Sequence, residues 1–396
     1  MTQAKLPANT KLWNLVSAAI LAISVLKGIR YPSPWAYTHY LFNYNFGFTK
    51  RALIGTFINY LGVPYLKSYG FFLIFSTVLL FTNIFLIYLF MRDLITSNNK
   101  LLVGGAIIFA SSLAVVYLAN SNGYFEHIGL LTILIAMRVK GFYKKLLFLV
   151  PLFAIALLAH EANFIIFFPA IFISLLLDII PGNGLKKLIA LGIFSAVTVM
   201  LVFFIGNSTI SRGMANKMYR ETITEIKDIT RINTNTFEVL SSGVDDSFAL
   251  MQKNWTNKDF PQNTLNYFLA TLPAMLTLIY LMVMILKKSN ASKLLIILSI
   301  LASVSPLVLN FLASDMNRWN TLAITTSFLV LCTVFTSNKS AVADLPVDVY
   351  PILIFVLFLN ATTTIFMFGG YTVRQFPFLE HQNFILGVIR GEIRFP

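Results

Sequence analysis

Long apolar runs with scarcely a charge in them recur from one end of this chain to the other, and nothing else about the sequence constrains its fold as tightly. A helix needs ~20 apolar residues to cross a hydrocarbon core of ~30 Å. Runs of about that kind lie near 12–29, 70–91, 101–119, 125–140, 145–160, 163–181, 187–206, 265–286, 292–313, 319–336 and 350–369. Backbone groups in lipid have to be hydrogen-bonded within their own segment, so these runs read as helices rather than strands. The composition points the same way. Hydrophobic residues make up 57% of the chain and charged residues 12%, against roughly a quarter charged in soluble domains. The expected fold is all-α, a single membrane domain over 1–396 with about eleven transmembrane helices. The apolar run after Met1–Leu12 lacks a small-residue cleavage site, so the first helix is expected to be retained.

The net charge of +14 would suggest a nucleic-acid partner in a soluble protein. Here loop lysines and arginines orient the helices instead, and no nucleic acid is expected. With the N-terminus cytoplasmic, the inner loops hold Arg92, Lys100, Arg138, Lys140, Lys144, Lys145, Lys186, Lys187, Lys287, Lys288, Lys293 and Lys339. Only Asp93, Asp178, Asp344 and Asp348 oppose them. An odd number of spans then puts the C-terminus outside, together with two long external loops, 30–69 and 207–263. Ala52–Leu66 is apolar but punctuated by Gly55, Asn59, Gly62 and Pro64, which suits an interfacial or re-entrant piece. Within the second loop, Ile210–Ile226 reads as an amphipathic helix. In the C-terminal segment 370–396, Phe376–Ile393 interleaves apolar and charged residues as a helix lying in the interface does. The single cysteine, Cys332, excludes a disulfide framework and a cysteine metal site.

On this map the residues able to do chemistry gather on the outer side. Trp35, His39, Asn43 and Asn45 offer ring faces and hydrogen bonds suited to a sugar, and Lys50 and Arg51 follow them with positive charge. An interfacial aromatic belt with snorkelling cations is the competing reading of that stretch. Glu126 and His127 open the fourth apolar run just after Ser121-Asn122-Gly123, where a carboxylate also complements the helix dipole. His160 and Glu161 stand between two very apolar runs. Ionisable groups at such depth usually face a cavity or a partner. Adjacent positions on a helix diverge by ~100°, so the two serve different partners or sit at a break. Asp315 and Arg318 are spaced for a local ion pair, or Asp315 caps a helix while Arg318 points at an anion. Trp319 reads as an interface aromatic. No zinc motif or nucleotide-binding glycine loop is present, so neither metal nor cofactor is expected.

About eleven helices, one large outer loop, and outward Arg, His and Glu resemble the O-antigen or capsule polymerases of the bacterial inner membrane. Behind them stands the wider class of multispan membrane glycosyltransferases. The phrase Asn45-Phe-Gly-Phe-Thr-Lys50-Arg51-Ala-Leu-Ile-Gly55, with His160-Glu161 and Asp315-x-x-Arg318-Trp319, is similar to proteins of polysaccharide gene clusters. One departure separates the chain from transferases with a catalytic acid in the first outer loop: no Asp or Glu lies between Arg30 and Tyr69. The resemblance implies transfer or polymerisation of polyprenyl-diphosphate-linked repeat units on the periplasmic face. A chain-length regulator or a flippase would be the partners there. It implies Lys50, Arg51 and Arg318 at the diphosphate, and His160, Glu161 and Glu126 as candidate bases. The rival reading is a transporter or flippase, whose usual marks are internal repeats and helices broken near the midplane.

Overall fold

The computed structural model describes residues 8–97, 99–180, 184–226, 228–257, 259–339, 350–362, 365–366, 372–373 and 390. In chain order its helices are α1 (Ala8–Gly28), α2 (Pro34–Tyr40), α3 (Leu53–Leu61), α4 (Tyr69–Ile95), α5 (Lys100–Ser111), α6 (Leu113–Asn120), α7 (Glu126–Arg138) and α8 (Phe142–Ala159). There follow α9 (Asn163–Ile179), α10 (Leu185–Gly206), α11 (Arg212–Glu225), α12 (Asn235–Leu240), α13 (Val244–Thr256), α14 (Asp259–Lys288), α15 (Lys293–Val304), α16 (Met316–Ser337) and α17 (Tyr350–Thr362). The sheet among the described residues is one antiparallel pair, Ile365–Phe366 with Thr372–Val373.

Eight helical stretches among the described residues are long and apolar enough to cross a membrane: Thr10–Gly28, Tyr69–Ile95, Lys100–Asn120, Phe142–Ala159, Leu185–Gly206, Asp259–Lys288, Lys293–Phe311 and Met316–Ser337. The three other expected spans are the shorter helices α7, α9 and α17, of 13, 17 and 13 residues. Local chemistry sets several boundaries. Ser68, Asn99 and Ser292 each accept a hydrogen bond from the first turn of the helix that follows. Extended backbone at Ser112 (φ −76°, ψ 163°) breaks the Lys100–Asn120 stretch in two, and Pro306 turns the end of α15 into a 3₁₀ segment.

The centre of the bundle is α16, buried without interruption from Arg318 to Phe335 and packed on α6, α9, α14 and α15. Close approach replaces bulk where backbones meet. A Cβ on Gly28 would lie 1.9 Å from the Val116 carbonyl oxygen, so α1 and α6 need that glycine. The outer helices present apolar side chains outward: Ile74, Val78, Phe81 and Phe85 on α4, and Ile193, Met200, Phe203 and Phe204 on α10. A helix apolar on both its packed and its exposed faces suits lipid rather than water. The protein is a multi-pass helical membrane protein.

The two long segments between spans fold together over one end of the bundle. Lys50 Nζ donates to the Ser242 carbonyl at 2.8 Å, the Asn233 backbone N–H to Thr38 Oγ1 at 2.8 Å, and Lys67 pairs with Glu225 at 2.5 Å. Phe42, Phe46, Ile210, Met218, Phe237 and Leu240 share a small core beneath those contacts. The stretch 207–263 is thus not simply a loop: α11, α12 and α13 occupy it, and α14 begins at Asp259. Ala52–Leu66 holds the nine-residue α3, which is far short of a span. Phe57, Tyr60 and Leu61 are exposed there. The interfacial helix expected over 376–393 lies outside the described residues, Arg390 excepted. Trp319 corrects the sequence reading. It is 2% exposed and donates Nε1–H to the Ala313 carbonyl at 3.3 Å, so it belongs to the interior rather than to an interface belt.

Candidate functional site

Four helix ends meet beneath that cap. α8 stops at Ala159, His160 is extended (φ −161°, ψ 115°), and α9 starts at Asn163, so His160 and Glu161 sit in a break between two apolar helices. Asn163 fixes the break by donating Nδ2–H to the carbonyls of Ala156 (2.8 Å) and Phe125 (3.5 Å), which ties the end of α8 to the start of α7. Gly129 lets this happen, because a Cβ there would lie 2.5 Å from Asn163 Oδ1. Glu126 is the first residue of α7, and Arg318 lies in the first turn of α16.

Arg51 reaches this point from the segment between α2 and α3. Its guanidinium grips Glu161 with two bonds, Nη2 to Oε1 at 2.6 Å and Nε to Oε2 at 3.1 Å. Such a fork-to-carboxylate pair is both strong and directional. Its backbone is left-handed (φ 64°), unusual for a non-glycine residue and costing about 1–2 kcal/mol. A third guanidinium nitrogen, Nη1, donates to His39 Nε2 at 3.2 Å, while His39 Nδ1–H donates to the Trp35 carbonyl at 3.1 Å. On the far side, Arg318 pairs with Glu126 and, at 3.1 Å, with Asp315. The Arg318 guanidinium lies over the rings of Trp319 (4.5 Å) and Tyr124 (5.0 Å). His160 joins the two halves. Its Nδ1 accepts from the Ala162 backbone N–H at 3.1 Å, and its Nε2 lies 3.3 Å from both Arg318 Nη2 and Glu126 Oε1. Glu161 Oε2 is 3.6 Å from Nδ1.

Burial, and then the Arg51 charge, push the His160 imidazole down to about 3 and His39 well below its ordinary range, so both are neutral. Burial alone would raise the Glu161 carboxyl, but Arg51 first and then Lys50 outweigh it and hold it well below the usual carboxylate range. Burial lowers Lys50 as well. Three basic side chains, Lys50, Arg51 and Arg318, thus face three carboxyls, Glu126, Glu161 and Asp315, the last raised to about 6 by burial. The Glu126–Arg318 pair is nearly dry, at 6% and 5% exposure.

Of the sequence candidates, His39, Arg51, Glu126, His160, Glu161 and Arg318 converge here. Lys50 borders them, held by the Ser242 carbonyl. Trp35 stands edge-on to His39, ring centroids 5.2 Å apart. Asn43 and Asn45 are elsewhere. Asn43 is buried, its Oδ1 accepting the Asn45 N–H at the start of a 3₁₀ turn, and Asn45 is exposed. The sequence reading did not single out Tyr124, although it lies inside the Ser121–His127 stretch. Nor did it single out Arg30 and Arg231, which line a cavity of about 450 Å³ beside Trp35. Among the described residues no group of three His, Cys, Asp or Glu is arranged to hold a metal ion.

Fold and site together define a multi-pass helical membrane protein with a balanced, mostly buried ion network at one end of its bundle. No known protein family, characterised protein or solved structure matches the chain.

Proposed function

We propose that the protein transfers or polymerises polyprenyl-diphosphate-linked saccharide units at the outer face of the bacterial inner membrane, for O-antigen, capsule or exopolysaccharide. The reading includes about eleven spans, a cytoplasmic N-terminus and an outer C-terminus, with α7, α9 and α17 as short spans. The observation that carries it is the gathering of Glu161, His160 and Glu126 with Arg51 and Arg318 in one mostly buried network, beside an open cavity.

The chemistry follows from the charges. A sugar hydroxyl of the acceptor attacks C1 of the lipid-linked donor. The new O–C1 bond forms as the bond from C1 to the diphosphate breaks, and the diphosphate leaves with the electron pair. Glu161 takes the hydroxyl proton. While both of its oxygens lie on Arg51 it is a weak base. As charge develops on the leaving diphosphate, Arg51 turns toward it, and burial then raises the carboxyl into a useful range. Arg51 thus acts mainly in the transition state, where a contact raises rate rather than affinity. His160, whose Nε2 lies 3.3 Å from both Arg318 Nη2 and Glu126 Oε1, positions that pair.

A second reading, a transporter, is favoured by one feature: the interruption at Ser112 inside the Lys100–Asn120 stretch, since discontinuous helices line many carrier sites. Reconstitution separates the two. With a short polyprenyl-diphosphate saccharide in the vesicle membrane, the transferase lengthens chains on a gel. Movement of the saccharide across the vesicle without lengthening would leave the transporter standing. Reporter fusions at Lys144–Lys145 and within 207–263 check the orientation, and are expected inside and outside respectively.

A further inference from the structure

The two arginines of the network carry the same fork but are partnered differently. Arg318 faces two carboxyls, Glu126 and Asp315. Arg51 pairs with Glu161 through Nη2 and Nε, and its third bond runs from Nη1 to His39 Nε2 at 3.2 Å. A guanidinium has only donors, so this contact exists only while Nε2 carries no proton. The Trp35 carbonyl beside Nδ1 can only accept, so that contact, at 3.1 Å, exists only while Nδ1 carries one. The two neighbours thus select a single tautomer of a neutral ring. His39 differs in this from the other described histidines. At His160 and His127 the group facing Nδ1 is itself an N–H donor, from Ala162 and Asn83 respectively.

The ring is held in that orientation. His39 is buried, and Trp35 and Phe42 stand edge-on to it with ring centroids 5.2 and 5.1 Å away. Its helix, α2, is capped by the Ser33 hydroxyl and tied through Thr38 to Asn233. Arg51, by contrast, stands on left-handed backbone, which a non-glycine residue keeps only where its surroundings impose it. Glu161 grips the fork from the bundle and His39 grips it from the cap. The titratable groups facing the His39 ring are Arg51, Glu161 and His160, the last neutral as well. Burial first and then Arg51 keep a proton off His39 at neutral pH.

The neutrality of this partner bears on what Arg51 can do. A carboxylate in its place would give the guanidinium a second negative partner, as Arg318 has, and would oppose its turning toward another anion. An imidazole satisfies the N–H and leaves the charge uncancelled.

We infer that His39 is the positioning residue for Arg51: as a neutral imidazole protonated on Nδ1, it holds Nη1 from the cap and leaves the positive charge free to act on a leaving diphosphate. The action on the diphosphate rests on the transferase reading, whereas the clasp between His39 and Arg51 does not.

Two measurements on the full-length protein in detergent test this. The first is nitrogen NMR with isotope placed only in histidine. The His39 ring, identified among the four histidines by the signals lost in His39→Gln, should carry its proton on Nδ1 at neutral pH. The second is chain extension from a lipid-linked saccharide. His39→Ala should lower kcat on the order of tenfold to a hundredfold, the scale of a lost hydrogen bond to a charged group, with KM within about twofold. His39→Gln offers Nη1 a neutral acceptor and should recover most of that rate. His39→Glu differs from it by one charge and should stay at least about tenfold slower than His39→Gln. Should the glutamate variant fold poorly, the alanine and glutamine variants and the nitrogen signals decide. A ring protonated on Nε2, or a His39→Gln as slow as His39→Ala, overturns the inference. So does a His39→Ala that raises KM with kcat unchanged, which would return His39 to the sugar. A His39→Glu as fast as His39→Gln overturns the need for a neutral partner. If the unaltered protein extends no chains, the transferase reading falls, and the nitrogen signals still judge the clasp.

Discussion

The two ends of the bundle both carry ion pairs, but they are built to different plans. At the end away from the cap, Arg138 pairs with Asp93 at 2.6 Å, each about a third exposed. Lys145 pairs with Asp178 at 2.8 Å and donates to Ser174 Oγ at 2.9 Å. These are local ties between neighbouring helix ends, extended only by Lys187 Nζ, which donates to the Asp178 carbonyl at 3.3 Å. At the capped end the partners are shared. Glu126 serves Arg318 and His160, Arg51 serves Glu161 and His39, and the Arg51 backbone is strained. Simple pairs suffice to pin helix ends, so an arrangement with shared partners and strain points to a task other than pinning.

The largest expected effect separates the ends by product. Glu161→Gln should cut chain extension by about 10²–10⁴-fold, the scale of a general base. Asp178→Asn at the other end should leave glycan length on a gel unchanged. Equal loss of product from both variants would erase the distinction.

Stability should divide them next. Arg318→Ala strands the buried Glu126 carboxylate and should cost about 3–5 kcal/mol in detergent unfolding. Arg138→Ala removes a part-exposed pair and should cost no more than about 1 kcal/mol. Comparable losses would mean that the network is no drier than the opposite end.

The smallest effect is a slope with pH. Below about 6.5 the unfolded chain protonates its histidines while His160, pushed down to about 3, stays neutral in the fold, so unfolding binds protons and stability falls. Glu161, held low, acts in the same direction: its contribution is present above the ordinary carboxylate range and is lost as pH falls through it. Unfolding midpoints should be level above pH 7 and decline below 6.5, by about 1.4 kcal/mol per pH unit for each such imidazole, less the opposing share of Asp315, whose carboxyl burial raises to about 6 and which takes its proton in the fold first. His160→Gln should remove one proton's share of that slope. An unaltered slope would mean that His160 titrates normally.

How far the sequence foretold this depends on distance along the chain. The long apolar runs were legible because a span is a local property of ~20 residues. His160 and Glu161 could be read as a break for the same reason, having no charged neighbours nearby. The Ser112 interruption was hidden, since one serine in an apolar run interrupts no pattern. Arg51 and its partner Glu161 lie 110 residues apart, and no periodicity joins them. Arg30 and Arg231 were invisible as a pair until the two long segments docked. Trp319 was misread because an aromatic at a helix start is usual at an interface, and only the packing around Arg318 decides otherwise.

The shortness of α7 carries one more consequence. Its 13 residues rise roughly 20 Å, and its far end is tied by the Arg138–Asp93 pair. On the proposed eleven-span reading, in which α7 crosses a hydrocarbon layer of ~30 Å, Glu126 would lie about 10 Å deeper than the end of a full-length helix. The floor of the site would then be a crater, with either thinned bilayer or the protein's own cap making up the missing height. A water-borne molecule has to descend into such a crater, whereas one tethered to a lipid tail already starts at its rim.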